Sequence, residues 1–192
     1  LQSMITTDLA HVPGLKLVER ARLADVTEEI GRALGEGYDS AAAARVGKLL
    51  GATHVAVGSF AVIGDTMRLD ARLVVVESAE VLATASADGE RDAFFDHQKV
   101  LVKRFVQALQ VTLPAKARGE LGRYHTTDFE AFRRFSDGLA RADAGRFDEA
   151  RSALRDAMKI DDRFELARRT LVDIDELAAK VDERRKLARR AE

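Results

Sequence analysis

Three runs decide the fold: Gly51-Ala52-Thr53-His54-Val55-Ala56-Val57-Gly58-Ser59-Phe60, then Arg68-Leu69-Asp70-Ala71-Arg72-Leu73-Val74-Val75-Val76, then Val81-Leu82-Ala83-Thr84-Ala85-Ser86-Ala87-Asp88-Gly89. Each alternates with a period of two, and turn formers separate them, Gly64-Asp65 first and Glu77-Ser78-Ala79-Glu80 second. This predicts three strands in an antiparallel meander. In the first strand Val55, Val57 and Ser59 face one way and His54, Ala56, Gly58 and Phe60 the other. In the second, Met67, Leu69, Ala71, Leu73 and Val75 alternate with Arg68, Asp70 and Arg72, which predicts a sheet with one buried and one wet face.

Working towards the N-terminus, Ala41-Ala42-Ala43-Ala44 to Leu50 has strong helix propensity. Asp39 or Ser40 is placed to cap it, Val46, Leu49 and Leu50 are available for burial, and Gly51 ends it. Leu23, Val26, Ile30 and Leu34 predict a further helix over 22–34, stopped by Gly35 and Gly37. Leu1, Met4, Ile5 and Leu9 recur at helical spacing until Pro13-Gly14 turns the chain, and a short strand is expected over Leu15 to Val18. The opening Leu1-Gln2-Ser3-Met4-Ile5 starts inside an apolar-periodic pattern, so a truncated or processed start is expected, one that leaves room for a targeting signal upstream.

Working towards the C-terminus, Phe94, Phe95, Val100, Leu101, Phe105, Ala108 and Leu109 suit a long amphipathic helix lying across the sheet, limited by Pro114. Turn formers cluster at 114–127, where a linker is expected. Everything downstream reads as helix: Phe129 to Ala144, Phe147 to Ile160, and a last helix from Arg163 towards Arg190. The expected organisation is an α/β (α+β) sheet-and-helix domain over 1–113, a linker over 114–127, and an all-α segment over 128–192.

Composition narrows the chemistry. With 192 residues and 46% hydrophobic side chains the chain is long enough to bury a sizeable core. Its 31 basic and 32 acidic side chains give a net charge of -1, which removes the global attraction expected of a general nucleic-acid binder. The lack of cysteine excludes disulfides, thiolate nucleophiles and thiolate metal sites. No apolar stretch approaches the roughly 20 residues that cross a bilayer.

No catalytic constellation emerges. His11, His54, His97 and His125 lie in unrelated segments without a second ligand at metal-binding spacing, so no metal is expected. Gly31-Arg32-Ala33-Leu34-Gly35-Glu36-Gly37 lacks the Lys-Ser or Lys-Thr of a phosphate loop. Ser59, in Val-Gly-Ser-Phe-Ala, lacks the second glycine of a nucleophile elbow. Asp65, Asp70, Glu77 and Glu80 cluster at hairpin turns, where carboxylates are solvated. No cofactor is expected, and the chain reads as a non-enzyme.

Two resemblances add to this reading. The stretch after the linker resembles one tetratricopeptide repeat, a unit of about 34 residues. Gly138 lets two helices approach, Gly145-Arg146-Phe147 turns the chain, and Ala150, Leu154 and Ala157 pack the second helix on the first. Asp162 stands where that family prefers proline, and Arg134 and Asp137 occupy its usual aromatic and leucine positions.

Residues 6–113 resemble the CsgG-like and TolB-N-terminal-like (FlgO-like) bacterial envelope proteins. The resemblance rests on Thr7-Asp8-Leu9, Leu17-Val18-Glu19-Arg20-Ala21-Arg22-Leu23, the Leu50 to Phe60 run, Arg68-Leu69-Asp70-Ala71-Arg72-Leu73-Val74 and Glu80-Val81-Leu82. The first strand typical of that family is missing, and Ala79 replaces the glycine usual before Glu80-Val81-Leu82. The resemblance implies a non-catalytic scaffold or adaptor, periplasmic or associated with the outer membrane, that assists secretion or appendage assembly by binding protein partners, with homo-oligomers among its relatives. The alternative is a cytoplasmic regulatory or small-ligand-sensing module of a larger signalling protein. The expected protein-binding residues are Phe147, Arg151 and Arg155 on the second helix of the repeat, and Arg68, Asp70 and Arg72 on the wet sheet face.

Overall fold

The computed structural model describes residues 1–18, 39–90 and 93–191. Among them are seven helices and one three-stranded antiparallel sheet. The elements in order are α1 (Gln2–Leu9), α2 (Ser40–Leu50), β1 (His54–Ile63), β2 (Thr66–Val75), β3 (Val81–Glu90), α3 (Phe94–Ala108), α4 (Ala115–Gly122), α5 (Phe129–Asp143), α6 (Phe147–Ile160) and α7 (Glu165–Ala191). The chain divides into two compact units, Leu1–Arg123 and Tyr124–Glu192. The expected helix over 22–34 lies outside the described residues.

In the first unit the meander forms in the order β1-β2-β3, with β1 and β2 joined by the two-residue turn Gly64-Asp65. Its register sets Val57 against Arg72, Ser59 against Asp70 and Ala61 against Arg68, so these six side chains share one face. Met67, Leu69 and Leu73 point the other way and are buried, where α3 supplies Phe94, Phe105 and Leu101. Phe94 and Phe95 meet edge to face at 5.1 Å, a geometry that suits the ring quadrupoles.

The face expected to be wet is dry at one end. Val74 and Val76, on the same side as Arg72, are buried because α2 covers that corner. Gly47 makes the approach possible: a Cβ there would stand 2.3 Å from a Val76 methyl and 2.7 Å from a Val55 methyl. Asp39 caps α2 by accepting a hydrogen bond from the Ala42 amide at 2.6 Å, and Gly51 ends it in the left-handed region. Leu49, available for burial by sequence, remains 60% exposed, since Ala42, Ala43, Ala44 and Leu50 form the buried face.

One expectation is corrected in this unit. Residues Leu15 to Val18 form no strand; Leu15 instead packs against a small core of Val12, Val102, Val106 and Leu121. That placement half-buries its side chain, with no β partner among the described residues. The segment expected as linker contains α4, whose Ala117 and Leu121 are buried, and the division between units falls at Arg123 and Tyr124. Turn formers at Pro114 and Gly122 thus bracket a helix.

The second unit is a helical hairpin, α5 and α6, followed by the 27-residue α7. Asp128 caps α5 by accepting from the Ala131 amide at 2.8 Å. Thr126 donates its hydroxyl hydrogen to Asp161 at 2.6 Å, which ties the chain before α5 to the end of α6. Gly145, with φ of +71°, makes the turn between the two helices. At Gly138 a Cβ would lie 2.9 Å from Leu154 Cγ and 3.2 Å from the Ala150 carbonyl oxygen. Absence of a side chain there sets the helix spacing. Phe135 and Phe164 close the core with ring centroids 5.1 Å apart.

Candidate functional site

On α6, Phe147, Arg151 and Arg155 recur at i, i+4 and i+8, a spacing that places them along one side of a helix. Phe147 and Arg151 line a groove of about 310 Å³ with Arg146, Asp148, Ala178 and Asp182, so its walls come from the start of α6 and the middle of α7. The groove mixes both charge signs around one aromatic ring.

The three residues differ in what they can offer. Arg151 donates to Asp175 on α7 at 2.6 Å and to Asp148 one turn back at 2.7 Å. The hydrogen bond to Asp175, then that to Asp148 and the two carboxylate charges, hold its guanidinium pKa above the usual arginine value. Arg151 therefore fastens α7 to α6. Arg155 is exposed and has no ion-pair partner among the described residues, and Phe147 is half-buried.

A second groove, of about 190 Å³, lies between Arg134, Asp137 and Arg141 on α5 and Glu149, Ser152 and Asp156 on α6. It is internally neutralised. Arg141 bridges Glu149 and Asp137, and Asp156 pairs with Lys159 at 2.8 Å, which lowers its carboxyl pKa. Nearby, Arg133 and Arg134 both bond Glu130; the Arg133 hydrogen bond is the largest influence lowering that carboxyl to about 2.

On the sheet, Arg68 donates to Asp70 through Nε at 2.8 Å and through a terminal nitrogen at 3.2 Å. This fork raises the arginine pKa and, with Ser86 opposite, lowers that of Asp70. Two of the three expected binding residues here neutralise each other. Arg72 stays exposed, with Ala71 and Leu73 beside it turned towards the other face.

The least anticipated cluster is buried. Lys99 on α3 lies 2.8 Å and 2.9 Å from the two carboxylate oxygens of Asp8 on α1, and the Gln98 amide donates to the same carboxylate at 2.8 Å. Asp8, Gln98 and Lys99 are 1%, 0% and 4% exposed. Their register was readable: Lys99 and Gln98 fall on the same helical stripe as Phe95, Val102 and Val106, where a charge needs a partner. The Oε1 of Gln98 and the Nδ1 of His97 are buried without a hydrogen-bond partner among the described residues.

Among the described residues no group of three or more His, Asp or Glu side chains is arranged to hold a metal ion. No described helix is long and apolar enough to cross a membrane. No protein-family model matches the chain, and no curated protein matches it either.

Proposed function

We propose that this chain is a non-catalytic adaptor of the bacterial cell envelope that binds protein partners in support of secretion or appendage assembly. The observation that carries this is the α6 stripe. Phe147 offers a half-buried ring, Arg155 an exposed guanidinium, and between them Arg151 is locked to Asp148 and Asp175 so that the groove keeps its shape. A docking surface gains affinity when its anchors are held in place before the partner arrives. Aromatic and arginine side chains are also the residue types that most often anchor protein interfaces.

Three features support the two-module reading. The α5–α6 hairpin has small residues where its helices touch, Gly138, Ala150 and Ala157, with Gly145 at the turn and Leu154 buried, which supports the tetratricopeptide-like reading. The meander occupies the segment that resembles the CsgG-like and TolB-N-terminal-like proteins. Most charged groups of the α5–α6 hairpin are engaged in ion pairs at solvent-exposed positions, an arrangement suited to a surface and unlike the dry, convergent acid and base of a catalytic pocket.

The test is capture from envelope extract. A partner retained by the wild-type chain is expected to be lost on Arg155→Glu and on Phe147→Ala, with the melting temperature unchanged for Arg155→Glu. Recovery of the same proteins by all three chains, or a turnover abolished by one substitution, would contradict the adaptor reading.

A further inference from the structure

The ten residues of β1, from His54 to Ile63, include no charge and no proline, and seven are valine, alanine, phenylalanine or isoleucine. A nearly continuous apolar run is the composition of a strand with cover around it. Yet none of the ten is buried, and among the described residues β1 is paired on one side only. Phe60, Val62 and Ile63 are 54%, 43% and 80% exposed. The central strand β2 carries Arg68, Asp70 and Arg72 instead. Charge sits in the middle of the sheet and apolar surface at its edge.

The opposite edge is defended. β3 ends in Asp88 and Glu90, it bulges opposite Leu73 and Val74, and the Arg104 guanidinium reaches the Thr84 carbonyl oxygen at 3.5 Å. Charges, bulges and a capping side chain are the devices that stop an edge strand from pairing. Among the described residues β1 has none of them. Its outward groups follow from one bond: the Val76 amide donates to the Thr53 carbonyl at 2.9 Å, so odd-numbered residues turn their backbone groups to β2. The even-numbered ones, His54, Ala56, Gly58, Phe60 and Val62, present theirs to the open edge.

We propose that β1 pairs with β1 of a second copy of this chain, antiparallel about a two-fold axis at Ser59, to make one continuous six-stranded sheet. The strand is its own complement. With Ser59 opposite Ser59, Val57 meets Ala61, Val55 meets Ile63, Ala56 meets Val62, and the Phe60 ring lies over Gly58, which has no side chain to obstruct it. No pair brings like charges together. Centring on Gly58 would waste that complementarity by setting glycine against glycine. On the charged face, Arg68 of one copy lines up with Arg72 of the other three strand spacings away, about 14 Å. That exceeds the screening length of about 8 Å at physiological salt, so repulsion is weak.

This inference concerns the first unit and stands apart from the α6 docking role, whose test uses other residues. The chain lacks cysteine, so Ser59→Cys introduces a lone thiol. Across the axis the 59–59 pair is of the non-hydrogen-bonded kind, with Cα atoms about 4.5 Å apart, within disulfide reach. Mild oxidation of Ser59→Cys is expected to give a disulfide dimer at least about tenfold faster than Ile63→Cys or Leu49→Cys, both at exposed positions. The wild-type chain is expected to sediment as a dimer, and Phe60→Lys to weaken the dimer at least about tenfold with an unchanged circular dichroism spectrum. Equal oxidation at all three positions would overturn the proposal. So would a monomeric wild-type chain: protected β1 amides would then mean that the same chain covers the edge, and rapid exchange that the edge is bare.

Discussion

Lys99 Nζ lies 2.8 Å from Asp8 Oδ2 with both side chains almost wholly out of solvent, so the N-terminal helix is fastened to α3 by a buried ion pair 91 residues apart in sequence. Such a pair is costly to assemble and more costly to break, because removal of one partner strands the other charge away from water. Lys99→Met is expected to lower stability by about 3–5 kcal/mol in urea unfolding. Asp8→Leu combined with Lys99→Met is expected to recover much of that loss. A double variant no better than the single one would show that the pair does more than satisfy itself.

At Ala79 the backbone has φ of +60°, the left-handed region that costs a side-chain-bearing residue about 1–2 kcal/mol. Ala79→Gly is therefore expected to raise the unfolding midpoint by the equivalent of about 1 kcal/mol with an unchanged denaturant slope. A lower midpoint would contradict the geometry of this turn.

Two helical glycines behave oppositely. A Cβ at Gly138 runs into Leu154, whereas a Cβ at Gly119 meets nothing within 4 Å. Gly138→Val is expected to destabilise the hairpin by about 1–3 kcal/mol through overpacking. Gly119→Ala is expected to gain about 0.5–1 kcal/mol from helix propensity.

Glu130 gives a pH dependence with a definite sign. Its folded pKa of about 2 lies below the ordinary value of 4.5, chiefly through the Arg133 hydrogen bond. The stability it contributes is therefore complete above about pH 4.5 and is lost as the pH falls towards 2. Glu130→Gln is expected to flatten the acid limb of the stability curve within that window. An unchanged limb would show that the ion pairs at the start of α5 contribute nothing measurable.

The meander was legible because alternation over Val55 to Ala87 is a direct imprint of the pleat, and the hairpin because Gly138, Ala150, Leu154 and Ala157 keep helical register. Asp39, Gly51, Gly64 and Gly145 also announced their caps and turns, since local backbone chemistry fixes them. Tertiary cover was harder to foresee. The change from Arg72 to Val74 and Val76 marks where the wet face ends, but what covers that end, α2 lying over the corner through Gly47, is a matter of tertiary packing. Leu15 to Val18 has strand-like composition, yet Leu15 finds its burial against Val12 and Val102 instead. The α6 stripe was visible as spacing, while the engagement of Arg151 by Asp175 needed the position of α7.

Site-specific photocrosslinking in living cells tests the adaptor claim most directly. A photoreactive phenylalanine analogue at Phe147 or at Arg155 is expected to give a discrete covalent adduct with another protein, while the same analogue at exposed Ile160, on the opposite side of α6, gives none. No adduct at either position, or equal adducts at all three, would contradict a docking role for this helix.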